Sequence, residues 1–128
     1  MVMDSSALVS ILLEERGHES LLERVGRAEA IFVGASTALE TALVLSARLR
    51  RDARPMLSGF LRRTNAEVID FSEDHYEAAL SAFLRFGKGR HPAALNFGDC
   101  MSYALASVSG LPLLYAGTAF SRTDIQSA

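Results

Sequence analysis

Short apolar runs alternate along this chain with longer stretches in which apolar residues recur every three or four positions. Residues 1–3 (Met-Val-Met), 30–33 (Ala-Ile-Phe-Val), 67–71 and 111–115 are the short runs and are predicted as buried strands. The stretches between them carry the helical period. Ser5 or Ser6 opens a helix to about Leu13, and a second amphipathic helix follows with Leu21, Leu22 and Val25 inward. Ser36 or Thr37 starts a helix to about Arg51, and residues 55–63 form another through Met56, Leu57, Phe60 and Leu61. Ser72, with Glu73 and Asp74 behind it, starts a helix to Phe86, and Asn96 caps one that ends at Ser109-Gly110. Residues 87–92, Gly-Lys-Gly-Arg-His-Pro, read as a loop.

Strands alternating with helices of about a dozen residues require crossover connections. The expected architecture is therefore α/β: a three-layer sandwich with a mostly parallel central sheet of four to five strands and helices on both faces. No repeat, low-complexity segment or linker divides residues 1–128, so one domain is expected. Sites in such sheets form at the carboxyl ends of the strands.

Three acids point there from distant parts of the chain. Asp4 ends the first strand, Glu40 interrupts the apolar helix around Leu39 and Leu43, and Asp99 stands three residues after Asn96. Carboxylates in apolar surroundings are costly unless something positive compensates them, and three together suit a hard divalent cation. Asp4 alone serves equally well as a helix cap, and Glu40 and Asp99 shift the balance toward a metal site. Ser5, Ser6, Ser36 and Thr37 read first as helix caps. His18 and His75 sit near helix starts without a partner at ligand spacing and are expected at the surface. Phe32, Phe60, Phe71, Phe83 and Phe97 lie in apolar patterns and are expected in the core.

The formal net charge of -2 provides no global attraction for nucleic acid or an anionic membrane, so a polyanion needs a local basic surface. Arg85, Lys88, Arg90 and His91 supply one just before Asp99. A second group, Arg48, Arg50, Arg51, Arg54, Arg62 and Arg63, falls near helix ends, where cations are stabilising on their own account. Cys100 is the single cysteine and lies in an apolar helix pattern, which implies a buried thiol in a reducing compartment. No apolar run is long enough to span a membrane and the start lacks a signal-peptide pattern, so a cytoplasmic protein is expected.

The segments Met1-Val2-Met3-Asp4-Ser5-Ser6-Ala7-Leu8, the Glu40 helix, the block from Phe86 to Cys100 and Pro112-Leu113-Leu114-Tyr115 with Asp124-Ile125 resemble the PIN-domain ribonucleases, and among them the VapC toxins of bacterial toxin–antitoxin pairs. The resemblance covers essentially the whole chain, and the block from Lys-Gly-Arg-His-Pro to Asn-Phe-Gly-Asp-Cys is its most specific part. It implies a PIN-like fold and an endoribonuclease that uses Mg2+ or Mn2+ to hydrolyse RNA phosphodiester bonds. Asp4 and Asp99 match the family's main metal ligands and Glu40 its third acid, with Lys88, Arg90 and His91 beside them to hold phosphates. A cognate VapB antitoxin is implied as partner, in a homodimer or toxin–antitoxin hetero-oligomer. The Leu43, Val44 and Ala47 face or the 55–61 helix would contribute to a dimer.

One position departs from the family. Where its members have Gly, then Asp or Asn, then Asp, then Phe, this chain has Gly117-Thr118-Ala119-Phe120, and neither candidate position keeps its carboxylate. Asp124 is the nearest remaining acid. The departure opens a second reading, a catalytically inactive PIN domain, natural or engineered, that binds an antitoxin or RNA. A third, a phosphoryl-accepting α/β domain using Asp4 or Asp70, lacks a strand-end lysine.

Overall fold

The computed structural model describes residues 1–128 and places four parallel strands in the order β3-β2-β1-β4. These are β1 (Val2–Met3), β2 (Phe32–Gly34), β3 (Glu67–Ile69) and β4 (Leu113–Leu114). Six helices connect them: α1 (Ser5–Leu12), α2 (His18–Arg27), α3 (Ala35–Leu49), α4 (Arg54–Arg63), α5 (Glu73–Phe86) and α6 (Phe97–Ser109). Beyond β4 the tail pairs once more in parallel, Leu113 against Ser127, with Leu113 N–H donating to the Gln126 carbonyl at 2.8 Å.

Successive strand residues point to opposite faces, and the two cores divide accordingly. Val2, Phe32 and Leu113 pack with α5 and α6, while Met3, Val33 and Leu114 pack with α1, α2 and α4. Two-residue strands suffice because each contributes one side chain to either core. The helix α3 touches α1 and α6, on opposite faces of the sheet. A buried polar chain fixes its register on α6: the Thr41 hydroxyl donates to the Thr37 carbonyl at 2.8 Å, and Thr37 Oγ1 lies 3.2 Å from Ser102 Oγ.

Several sequence expectations change at the surface. Of the five phenylalanines only Phe60 is fully buried, whereas Phe71 and Phe83 are exposed and Phe97 is 79% exposed. Their periodicity marks an uncovered face of α5 and the start of α6, because an apolar stripe looks the same whether it meets its own core or another surface. Leu22 is likewise exposed. His75 goes the other way. It is buried, and its Nδ1 accepts from the Ser72 backbone N–H at 3.0 Å while its own N–H bonds Ser72 Oγ, a reciprocal cap on α5 with imidazole in the usual glutamate position. The helix α3 is preceded by Gly34 without a side-chain cap, so Ser36 and Thr37 lie within its first turn.

Candidate active site

Strand order places a topological switch at β1, which has β2 on one side and β4 on the other. Asp4 stands immediately beyond the carboxyl end of β1, where its backbone N–H donates to the Leu114 carbonyl at 2.9 Å. It is itself the N-cap of α1, displacing Ser5 and Ser6 from that role: Asp4 Oδ2 accepts from the Ser6 N–H at 2.9 Å and from the Ser6 hydroxyl at 2.5 Å. The same Ser6 oxygen accepts from the Ala116 N–H at 3.0 Å, tying Asp4 to the exit of β4. Sequence reasoning reads Ser6 as a cap and misses this bridging role, which depends on a strand more than a hundred residues away.

Asp99 enters from the other layer. Asn96 caps α6, its Oδ1 accepting from the Asp99 N–H at 2.8 Å, while Asp99 Oδ2 accepts from the Asn96 N–H at 3.0 Å. Glu40 arrives on the second turn of α3, and its carboxylate lies directly over Gly98, so closely that a Cβ there would overlap it. Gly98 thus leaves room for the Glu40 carboxylate in this position.

The three acids influence one another. Burial, with help from the charges of Asp4 and Glu40, pushes Asp99 up to about 6 against the pull of the Asn96 N–H. Asp4 Oδ1 and Glu40 Oε1 are buried and have no hydrogen-bond partner. Buried carboxylate oxygens without donors are costly and are the observation that fits a cation. The carboxylates as placed do not close into a three-ligand set around one point. Mg2+ does not require such a set, since it retains several waters and binds through one or two carboxylates plus substrate phosphate.

The other predicted residues make contacts of their own. Asp124 accepts from the Tyr103 hydroxyl at 2.6 Å and from Arg85 at 2.9 Å, and these two partners hold its carboxyl below the usual range. Burial and Asp124 in turn push the Tyr103 phenol up to about 12. The carboxylate of Asp124 is therefore engaged with Arg85 and Tyr103, and the charges that act on Asp99 are those of Asp4 and Glu40. Lys88 is exposed, Arg90 stacks over Phe83 at 5.5 Å, and His91 Nδ1 accepts from the Ala93 N–H at 3.0 Å, which shapes the loop. Cys100 is buried and free, its thiol pushed up to about 11 by burial and by Asp99, which leaves it unsuited as a nucleophile. Of the two positions lacking an acid, Thr118 is exposed, whereas Ala119 packs against the core.

A parallel α/β sheet with acids converging from β1, α3 and α6 defines a class, and the PIN domain family matches residues 1–126. The chain is 43% identical over 125 residues to a Ribonuclease VapC of Mycolicibacterium smegmatis, covering 98% of this chain and 97% of that protein. It is 41% identical to Ribonuclease VapC30 of Mycobacterium tuberculosis, covering 98% and 95%. In fold it is similar to Mycobacterium tuberculosis VapC20, described as a Sarcin-Ricin loop cleaving toxin, with a TM-score of 0.80 at 16% identity over 99% of this chain and 97% of that one. A toxin–antitoxin complex from Klebsiella pneumoniae superposes with a TM-score of 0.70 at 18% identity, over 96% and 92%. The chain belongs to the VapC ribonucleases of the PIN domain family.

Proposed function

We propose that this chain is the toxin of a type II toxin–antitoxin pair and hydrolyses RNA phosphodiester bonds through Asp4, Glu40 and Asp99. The orphaned buried oxygens of Asp4 and Glu40 beside Asp99 carry the reading. Asp4 and Asp99 are the residues that would hold Mg2+ or Mn2+. Such an ion, when bound, supplies charge stabilisation at the phosphate and a water of lowered pKa. Ser6 holds the Asp4 carboxylate in one rotamer, Asn96 does the same for Asp99, and Glu40 orients the attacking water and accepts its proton. With Thr118 and Ala119 in place of an acid the centre holds less negative charge, which weakens cation binding and attenuates the enzyme.

The antitoxin partner would place an arginine or lysine against the same carboxylates, competing with the cation. No helix is long and apolar enough to cross a membrane, and the free Cys100 accords with a reducing cytoplasm. A second copy is the other proposed partner. The buried Leu57 and Phe60 commit α4 to the core, while Leu43 remains exposed on α3. The larger uncovered face is a depression of about 540 Å3 bordered by Tyr76, Leu80, Phe83 and Phe97. Its helix α5 is acidic at the start (Glu73, Asp74, Glu77) and basic toward the end (Arg85, then Lys88 and Arg90), so two copies related by a two-fold axis would match opposite charges.

Cleavage of a labelled structured RNA with Mn2+ tests the activity. The chain is expected to cleave and Asp4→Asn to be silent, since Asn keeps the α1 cap but loses the charge. No cleavage by the unaltered chain at high protein and metal concentration would favour the binding-module reading.

A further inference from the structure

A polar cleft of about 440 Å3 opens between α1 and α3 beside the acids, and the proposed mechanism leaves it without a role. Its walls include Ser5, Ser6, Ser10, Arg16, Arg48 and Gly117. We propose that this cleft is the subsite for the RNA strand's sugar–phosphate backbone next to the scissile phosphate, with Arg16 and Arg48 as the phosphate-binding residues. The inference rests on the ribonuclease reading and names where its substrate lies.

Position is the first argument. Ser5 and Ser6 follow β1 and Gly117 follows β4, so the cleft occupies the crevice at the switch point, where ligands of parallel sheets bind. Ser6 is shared: it lines the cleft and donates to Asp4, so a strand in the cleft runs directly onto the acid centre.

The chemistry of the walls is the second. Ser10 is only 4% exposed and contributes to the lining of the cleft. Arg16 is exposed and forms no ion pair, and Arg48 reaches only Glu15, at 3.5 Å. Two guanidinium groups with free donors, beside a row of serines, match phosphate oxygens and a ribose hydroxyl. Glu15 is the single acid on the walls, and its loose contact with Arg48 yields readily to a phosphate.

The 88–91 loop is the competing location. It packs through Phe86, Ala93 and Leu95 into the core on the α5 and α6 side, while α1 belongs to the opposite face. Arg90 is already stacked on Phe83 and the His91 imidazole is used within the loop.

Binding of a fluorescent RNA stem-loop, measured by anisotropy in Mg2+ across a range of KCl, separates the two. An Asp4→Asn background stops turnover. Arg16→Gln and Arg48→Gln are expected to weaken binding several-fold each and to lower the salt slope by roughly 0.7 per lost phosphate contact, while Glu15→Gln tightens it. Lys88→Gln with Arg90→Gln is expected to change little. Unchanged affinity and slope in both arginine variants, or salt dependence carried by Lys88 and Arg90, overturns the subsite while leaving a cleaving enzyme intact. Failure of the unaltered chain both to cleave and to bind RNA defeats the ribonuclease reading and the subsite with it.

Discussion

Replacing Asp99 with Asn should stabilise the metal-free protein at neutral pH, although it removes a residue of the acid centre. In the folded chain burial raises Asp99 to about 6, helped by Asp4 and Glu40, against an ordinary value of 3.8. The folded state thus binds the proton more tightly than the unfolded state. Stability is fully present below about pH 4, falls as pH rises to about 6, and stays reduced above that. A difference of about 2 units corresponds to about 3 kcal/mol. Asp99 keeps one side toward solvent, and screening there leaves about 1–2 kcal/mol. Asn carries no charge and still offers an oxygen to the Asn96 N–H, so the α6 cap survives. Urea unfolding followed by circular dichroism in EDTA measures the gap, and a thermal scan should show a rise of about 5 °C at pH 7. The advantage should narrow below pH 6 and vanish near pH 4. Millimolar Mn2+ should then raise the unaltered chain more than the variant, because only the former keeps the carboxylate proposed to hold the ion. A variant no more stable at pH 7, or an advantage independent of pH, refutes the argument.

Gly98→Ala should abolish cleavage while leaving stability within about 1 kcal/mol, since helix propensity rises as the new methyl expels the Glu40 carboxylate; paired activity assays and thermal melts check both. Tyr103→Phe removes the donor to Asp124 and should cost about 1 kcal/mol in urea unfolding without changing activity per folded molecule. Loss of turnover there would implicate Asp124 in catalysis. Thr118→Asp should increase Mn2+ affinity and turnover, read by calorimetry and cleavage rate, whereas Ala119→Asp should mainly destabilise because Ala119 packs against the core.

How much of this was visible in the linear pattern depends on range. The strand and helix sequence followed from periodicity, and the site edge from the parallel arrangement, because both are local rules applied in series. The uncovered face of α5 was hidden for the same reason: Phe71, Phe83 and Phe97 carry a core-like period, and only the packed structure shows that they stay exposed. His75 was hidden by chemistry, since an imidazole accepting from an N-cap residue has no spacing of its own. The cleft at Arg16 and Arg48 draws on residues more than thirty positions apart, joined only when α1 packs on α3. The 88–91 loop, with its basic residues adjacent in sequence, was the more legible candidate.

Capping and catalysis could not be separated for Asp4 and Asp99 because the carboxylates proposed for the metal site are the same ones that cap the helices. Asp4 is the N-cap of α1 and Asp99 the third residue of α6, so each carboxylate sits at the positive end of a helix and accepts from backbone N–H groups there. Those helix ends partly offset the repulsion of an acid cluster before any cation arrives, and they use one oxygen of each carboxylate while leaving the other. Glu40 has no such support. It lies within α3, held over a glycine, with a buried oxygen that nothing in the protein satisfies. Glu40 is therefore the acid whose position depends most on an external partner, and its side chain should be the first to reorder when a cation or a basic side chain of an antitoxin enters the centre.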